Sequence, residues 1–183
     1  MKHAWLHVMG FCLFGMTALG SGAAGAATAA GFYYPIPSWN QTLPTATRFI
    51  VLTNMGNAAV LDRETGLVWE QSPSTTRLVW EQAQFHCNKL TTGGRLGWRL
   101  PTVQELSSLV DPKQVNPSLP SGHPFSNVQS FIYWSSTTAN QVPLETTSGA
   151  WIVDFNDGDI GLDVKSYGYY LWCVRGGHGA DPQ

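Results

Sequence analysis

Two cysteines, Cys87 and Cys173, stand far apart in the part of the chain that follows an export signal. Joining them forces everything between to fold back on itself. The signal is read from Met1-Lys2-His3, an uncharged apolar run from Ala4 to Leu19, and the tract SGAAGAATAA with its small-x-small cleavage frames. A spanning helix needs about 20 apolar residues, and the Gly/Ala-rich second half of this stretch is too weakly apolar to complete one. Residues 1–30 therefore read as a secretory signal peptide, with no transmembrane segment left after cleavage. Cys12, behind the bulky Phe11, does not suit a lipoprotein site and leaves with the signal. In a compartment where disulfides persist, the two remaining cysteines are expected to pair. In the chain-entropy model a loop this long removes on the order of 4–5 kcal/mol of unfolded-state freedom. The rival reading is a reactive thiol in each. A catalytic cysteine wants a base nearby, and on a helix the adjacent His86 points about 100° away.

What remains after export is long enough for one core and too short for two. Lys plus Arg number 10 against 12 Asp plus Glu, a formal charge of −2, and removal of Lys2 makes the balance −3. Such a chain has no cationic field to draw it onto nucleic acid. Charged residues are only 12% of the sequence while aromatics are another 12%. A tryptophan-rich chain of this kind has ample apolar surface to bury, which excludes disorder.

Residues 31–47 are uncharged and rich in Pro, Tyr and Thr, and read as a linker or strap. From Arg48 short β-prone runs alternate with turns: Phe49 to Leu52, Ala58 to Leu61 and Leu67 to Trp69, separated by Met55-Gly56-Asn57 and Arg63-Glu64-Thr65-Gly66. Trp80, Ala83, Cys87 and Leu90 then recur at helical spacing up to Gly93-Gly94, which puts Cys87 on a buried stripe. A second helix is announced by Thr102-Val103-Gln104-Glu105, a capping box, with Val103, Leu106 and Val110 on its inner face and Asp111-Pro112 at its end. The stretch from Pro112 to Ser130 has no period and reads as a long irregular loop of the sort reserved for function. Strands return at Ile132 to Ser135, Ala150 to Phe155, Ile160 to Val164 and Tyr170 to Val174, with Asp157-Gly158 as the strongest hairpin signal. Helices set between groups of strands give an α+β domain.

Three segments together carry a family resemblance: AVLDRETGLVWE at 59–70, GWRLPTVQELSSLVD at 97–111, and YWSST at 133–137 followed by GAWIVDFNDG and LWCVRGG. Over about residues 48–177 the chain resembles the secreted bacterial domain of unknown function found at the C-terminal end of the Legionella collagen-like adhesin. More distantly, WEQAQFHC is similar to the helix that C-type-lectin-like domains disulfide-bond to their final strand. The resemblance implies a C-type-lectin-like α+β fold, with two helices packed on antiparallel sheets and long irregular loops, followed by a tail at 178–183. It also implies, for the adhesin, binding of sulfated glycosaminoglycans. Such polymers call for a cationic surface, which a chain at −3 does not offer, and no collagen-like Gly-x-y tract is present to build a trimer. RLPT is similar to a phrase of the formylglycine-generating relatives of this fold. Those enzymes depend on reactive cysteines in the final segment, where this chain has only the expected bridge partner.

Asp154, Asn156, Asp157, Asp159 and Asp163 supply oxygen donors for a Ca²⁺ ion if their hairpin curls round one. Alternate strand residues point to opposite faces, and the glycine and distal glutamate of a dedicated loop are missing, so a solvated turn is the reading adopted. The lectin tripeptides Glu-Pro-Asn and Trp-Asn-Asp do not occur. His86, His123 and His178 are too scattered for a metal set, and Ser135-Ser136 has no Gly-x-Ser-x-Gly context. No metal, cofactor or catalytic residue is expected, and the chain reads as not an enzyme. Trp69, Trp80, Trp134, Trp151 and Trp172 fall in apolar patterns and are expected in the core, whereas Trp39 in the strap is the candidate for exposure. Arg99 is expected to brace its loop through carbonyl or carboxylate bonds. The expected ligand surface is the 112–130 loop together with the 138–148 loop, offering Lys113, Asn116, His123, Asn127, Gln129, Asn140, Gln141 and Glu145. The function expected is a secreted, periplasmic or cell-surface bacterial module that binds a glycan or an extracellular protein. The alternatives are an envelope interaction or structural domain without carbohydrate specificity and a degenerate relative of the formylglycine-generating enzymes.

Overall fold

The computed structural model describes residues 42–140 and 148–176. Residues 31–41 of the strap, Trp39 among them, lie outside them, as do the signal with Cys12 and the tail with His178, while the last strap residues enter α1. Along the chain come a helical turn α1 (Thr45–Arg48), β1 (Phe49–Val51), β2 (Ala59–Asp62), β3 (Leu67–Glu70) and β4 (Ser74–Leu78). Then follow α2 (Trp80–Lys89), β5 (Trp98–Arg99) and α3 (Val103–Ser107), and last β6 (Ile132–Ala139), β7 (Gly149–Asp154), β8 (Ile160–Val164), β9 (Tyr169–Leu171) and β10 (Val174–Arg175). The strands form two five-stranded sheets, ordered β1-β2-β3-β10-β5 and β4-β9-β6-β7-β8. Pairing is antiparallel except for one parallel contact of β6 with β9, at Tyr133 and Tyr170. Gly66, with φ +72°, closes the β2–β3 hairpin, and its N–H reaches Asp62 O at 2.7 Å.

The first sheet joins the two ends of the domain, because the late strand β10 lies between β3 and β5. Cys173 sits between β9 and β10, where the chain crosses from the second sheet to the first, and bonds Cys87 of α2 with a Cα–Cα distance of 5.4 Å. The single run read from Tyr170 to Val174 is thus two short strands. The break exists because Glu70 captures the crossing: its N–H donates to Cys173 O at 3.2 Å, and its carbonyl accepts the Trp172 indole N–H at 2.9 Å.

Trp80, Ala83 and Cys87 form the buried stripe of α2, but the helix ends at Lys89, before Gly93-Gly94, since Leu90 turns to extended backbone at φ −65°, ψ 140°. At α3 the capping box is complete: Glu105 N–H donates to Thr102 Oγ1 at 3.2 Å and Thr102 N–H to Glu105 Oε2 at 2.9 Å. Arg99 grips the same Glu105 carboxylate with two bonds of 2.7 Å and holds the carbonyls of Leu100 and Gly176. The helix itself stops at Ser107. Single turns carry the chain on through Leu109 and Val110 before Asp111 is reached.

Trp69, Trp98, Trp134 and Trp172 are fully buried, and Trp69 and Trp172 meet edge to face at 5.8 Å. Trp151 departs from the expectation of a core tryptophan. The unbroken apolar run of β7 hides which residues face inward, and Trp151 lies half-buried while Ala150, Ile152 and Val153 are enclosed. The irregular loop is not free of the core either, because Leu119 and Phe125 are buried in it and Phe125 packs on Trp172 at 4.8 Å. Two helices on largely antiparallel sheets, a long irregular connection and a helix bridged to the final segment make this an α+β domain of the C-type-lectin-like kind.

Candidate functional site

The 112–130 loop is fastened in two places. Asn116 N–H donates to Asn156 O at 2.9 Å and Ser118 N–H to Phe155 O at 2.8 Å, which ties its first half to the β7–β8 turn. Ser126 N–H donates to Gln71 O at 2.9 Å, and the Gln71 side chain donates to Pro124 O at 2.8 Å, which ties its second half beyond β3. Asn116 and Asn127 both take the left-handed conformation at φ +55°, a backbone role that asparagine fills more readily than other side-chain-bearing residues. Lys113, Asn116 and Asn127 are exposed, whereas His123 and Gln129 are half-buried. Part of the expected polarity is spent internally. Asn127 donates to Ser72 Oγ at 3.0 Å, the Gln129 side chain donates to Asn127 O at 2.9 Å, and His123 Nδ1 accepts Phe125 N–H at 3.2 Å. Burial holds the His123 imidazole below its ordinary pKa of 6.5, in keeping with an accepting nitrogen.

The described ends of the two loops expected to make one surface stand apart, at opposite ends of β6. Ile132 at the start of β6 pairs with Asp154, and Ala139 at its end pairs with Gly149, so exposed Asn140 lies a full strand away from the 112–130 segment, about 25 Å at the usual rise. Lys113, Asn116, His123, Asn127 and Gln129 stay at one end of β6 and Asn140 at the other. Gln141 and Glu145 lie outside the described residues. The reason is topological: one loop leads into β6 and the other leaves it.

A concave surface lies elsewhere, where α3 crosses the second sheet. Val103, Gln104 and Ser107 of α3, Thr137 of β6, Trp151 of β7 and Ile160 of β8 line a cavity of about 320 Å³. Its walls are fixed. Val103 N–H donates to Thr137 Oγ1 at 2.9 Å, and Ser135 Oγ donates to Trp151 O at 2.7 Å within an irregularity of the β6–β7 register. A break in register, like a bulge, re-aims a side chain that regular pairing would point elsewhere. Sequence reasoning missed this site. The available signals were the polar pair Gln104 and Ser107 at i, i+3 on a helix whose other face is apolar, and Ile160 standing just after a tight turn.

In the Asp-rich hairpin the carboxylates serve turns. Asp154 Oδ1 accepts Asn156 N–H at 2.8 Å, Asp157 Oδ1 accepts Asp159 N–H at 3.2 Å, and Asp163 Oδ2 accepts the Tyr169 hydroxyl at 2.5 Å. Among the described residues, no three His, Cys, Asp or Glu side chains come together as a metal would require.

A family model for the Lcl C-terminal domain matches residues 58–175. The chain belongs to the Lcl C-terminal domain family. It thereby shares the domain type of the Legionella collagen-like protein, a bacterial surface-associated kind. No curated protein matches the chain. The part that matches as an Lcl C-terminal domain spans both helices, the bridge and every residue of the α3 groove, and it begins after β1. Among the described residues no helix is long and apolar enough to cross a membrane.

Two buried ionic groups brace this Lcl C-terminal domain. Arg48, buried at the end of α1, is bonded to Asp62 at 3.0 and 2.8 Å, to Glu64 at 3.0 Å and to Ser108 O at 2.7 Å. Glu70 lies beside the bridge, where its Oε2 accepts Cys173 N–H at 3.1 Å and its Oε1 accepts the Thr92 hydroxyl at 3.4 Å. Burial pushes the Glu70 carboxyl up from 4.5 to about 7, against the pull of those two donors.

Proposed function

We propose that the mature protein is an exported, adhesin-like binding module that recognises a glycan or an extracellular protein on a surface organised before the ligand arrives. The observation that carries this reading is the fastening of the 112–130 loop at Asn156, Phe155 and Gln71 while Lys113, Asn116 and Asn127 stay exposed. A loop already ordered loses little further freedom on binding, which favours recognition. An Lcl C-terminal domain in an oxidised compartment, with its two cysteines joined, fits export to the periplasm or cell surface.

The test is a binding screen of purified mature protein against a glycan array and immobilised extracellular proteins. The expected result is saturable binding to at least one of them. Absence of any saturable ligand refutes the reading and leaves the structural envelope role.

A further inference from the structure

The α3 groove has a chemistry of its own. No ionisable side chain lines it, so it suits an uncharged ligand, and Val103, Trp151 and Ile160 give it carbon walls. Around these stand neutral hydrogen-bonding groups with capacity left over. Thr137 Oγ1 accepts Val103 N–H, which leaves its hydroxyl proton to donate. Ser107 Oγ donates to Gln104 O at 3.0 Å, which leaves its lone pairs to accept. Among the described residues, neither the Gln104 side-chain amide nor the Trp151 indole N–H has a partner.

We infer that this groove is a binding site for an uncharged pyranose unit of a saccharide, seated against Trp151 and bonded by Gln104, Ser107 and Thr137. This rests on the binding-module reading and names its ligand class. A pyranose offers what the groove lacks, a C–H face for the indole and hydroxyls at the rim that both donate and accept. An apolar peptide segment would cover the carbon walls but leave the spare hydroxyl proton of Thr137 and the spare lone pairs of Ser107 unused. An anionic polymer finds no cation there. The volume of about 320 Å³ is at the small end of ligand pockets, which run from roughly 300 to 1,000 Å³, and admits a sugar ring rather than a helix.

The experiment titrates the disulfide-intact mature protein with methyl α-mannoside, methyl β-galactoside, N-acetylglucosamine and their disaccharides. It follows the indole ¹H–¹⁵N signal of Trp151, assigned by its loss in Trp151→Phe. A saturable displacement of that signal is expected with at least one sugar. Gln104→Ala, an exposed change that leaves the helix intact, should weaken binding roughly fivefold, and Trp151→Ala about tenfold or more in protein shown to remain folded. If none of these sugars moves the signal, the inference fails, while the module reading stands or falls on the broader screen. If a sugar binds and is lost with Lys113→Ala and Asn127→Ala instead, the module reading survives and the groove assignment is overturned. Displacement by an apolar peptide but by no sugar overturns it likewise.

Discussion

Glu70→Gln isolates the effect of burying an acid beside the disulfide. Below about pH 4.5 the carboxyl is protonated in both folded and unfolded chains. Between 4.5 and about 7 the folded protein keeps a proton that the unfolded chain has lost, and above that both are ionised. The folded state therefore binds more protons across that window, so stability is greatest at the acid side and falls as pH rises through it. The size follows from the displacement of 4.5 to about 7: at about 1.4 kcal/mol per pH unit it is on the order of 3 kcal/mol. Glutamine keeps an oxygen for Cys173 N–H and an amide for the Thr92 hydroxyl, so it preserves the shape while removing the titration. Urea unfolding at half-unit steps from pH 4 to 8, with the bridge intact, should show Glu70→Gln gaining on the native protein by that amount toward pH 8. Taking the difference removes other titrating groups, including His123, whose lowered pKa destabilises the fold in the acid direction instead. A difference that stays flat from pH 4 to 8, or grows toward acid, would refute the assignment of a buried, proton-holding Glu70.

Replacing Cys87 or Cys173 with serine should lower stability by roughly 2–5 kcal/mol, measured by denaturant midpoint; two titratable thiols in the folded, unreduced native protein would contradict the bridge. Arg48→Ala leaves Asp62 buried without its partner and should cost about 3–5 kcal/mol. Arg48→Met paired with Asp62→Leu should recover much of that by the same measurement. Intact mass of the exported protein should show loss of about 26–30 residues, cleavage falling at a small-residue frame just beyond the apolar run; a mass that retains Lys2 and Cys12 would identify an anchor.

Features encoded within a few residues were legible. The β2–β3 hairpin follows from a turn ending in Gly66, α3 from Thr102 and Glu105 at capping distance, and the buried position of Cys87 from its spacing to Ala83 and Trp80. The bridge was legible because only two cysteines follow the apolar N-terminal run. Features made by distant pairing were not. Ser74–Leu78, to which the sequence pattern assigns no element, is a strand because β9 lies beside it. Trp98–Arg99 is a strand of two residues created by β10. Arg48 and Glu70 look like ordinary charged residues at strand boundaries, and only their partners Asp62 and Cys173 make them buried groups. The α3 groove depends on the register shift between β6 and β7, and nothing local in YWSSTTA announces which way Thr137 turns.

The chain enters and leaves this domain at one corner. Leu43 N–H donates to Glu64 Oε1 at 2.5 Å, and a Cβ on Gly176 would stand 3.7 Å from the Gly66 carbonyl oxygen, so both flanks meet the β2–β3 turn. Pulled apart by those flanks, the domain takes the load through Leu43 and the two residues of β10 before the bridge. The tension then runs from Cys87 straight across to Cys173, bypassing the residues between them, a sequence separation of 86. Fully stretched those would measure about 300 Å, a length that stays folded away from the load while one sulfur–sulfur bond remains oxidised.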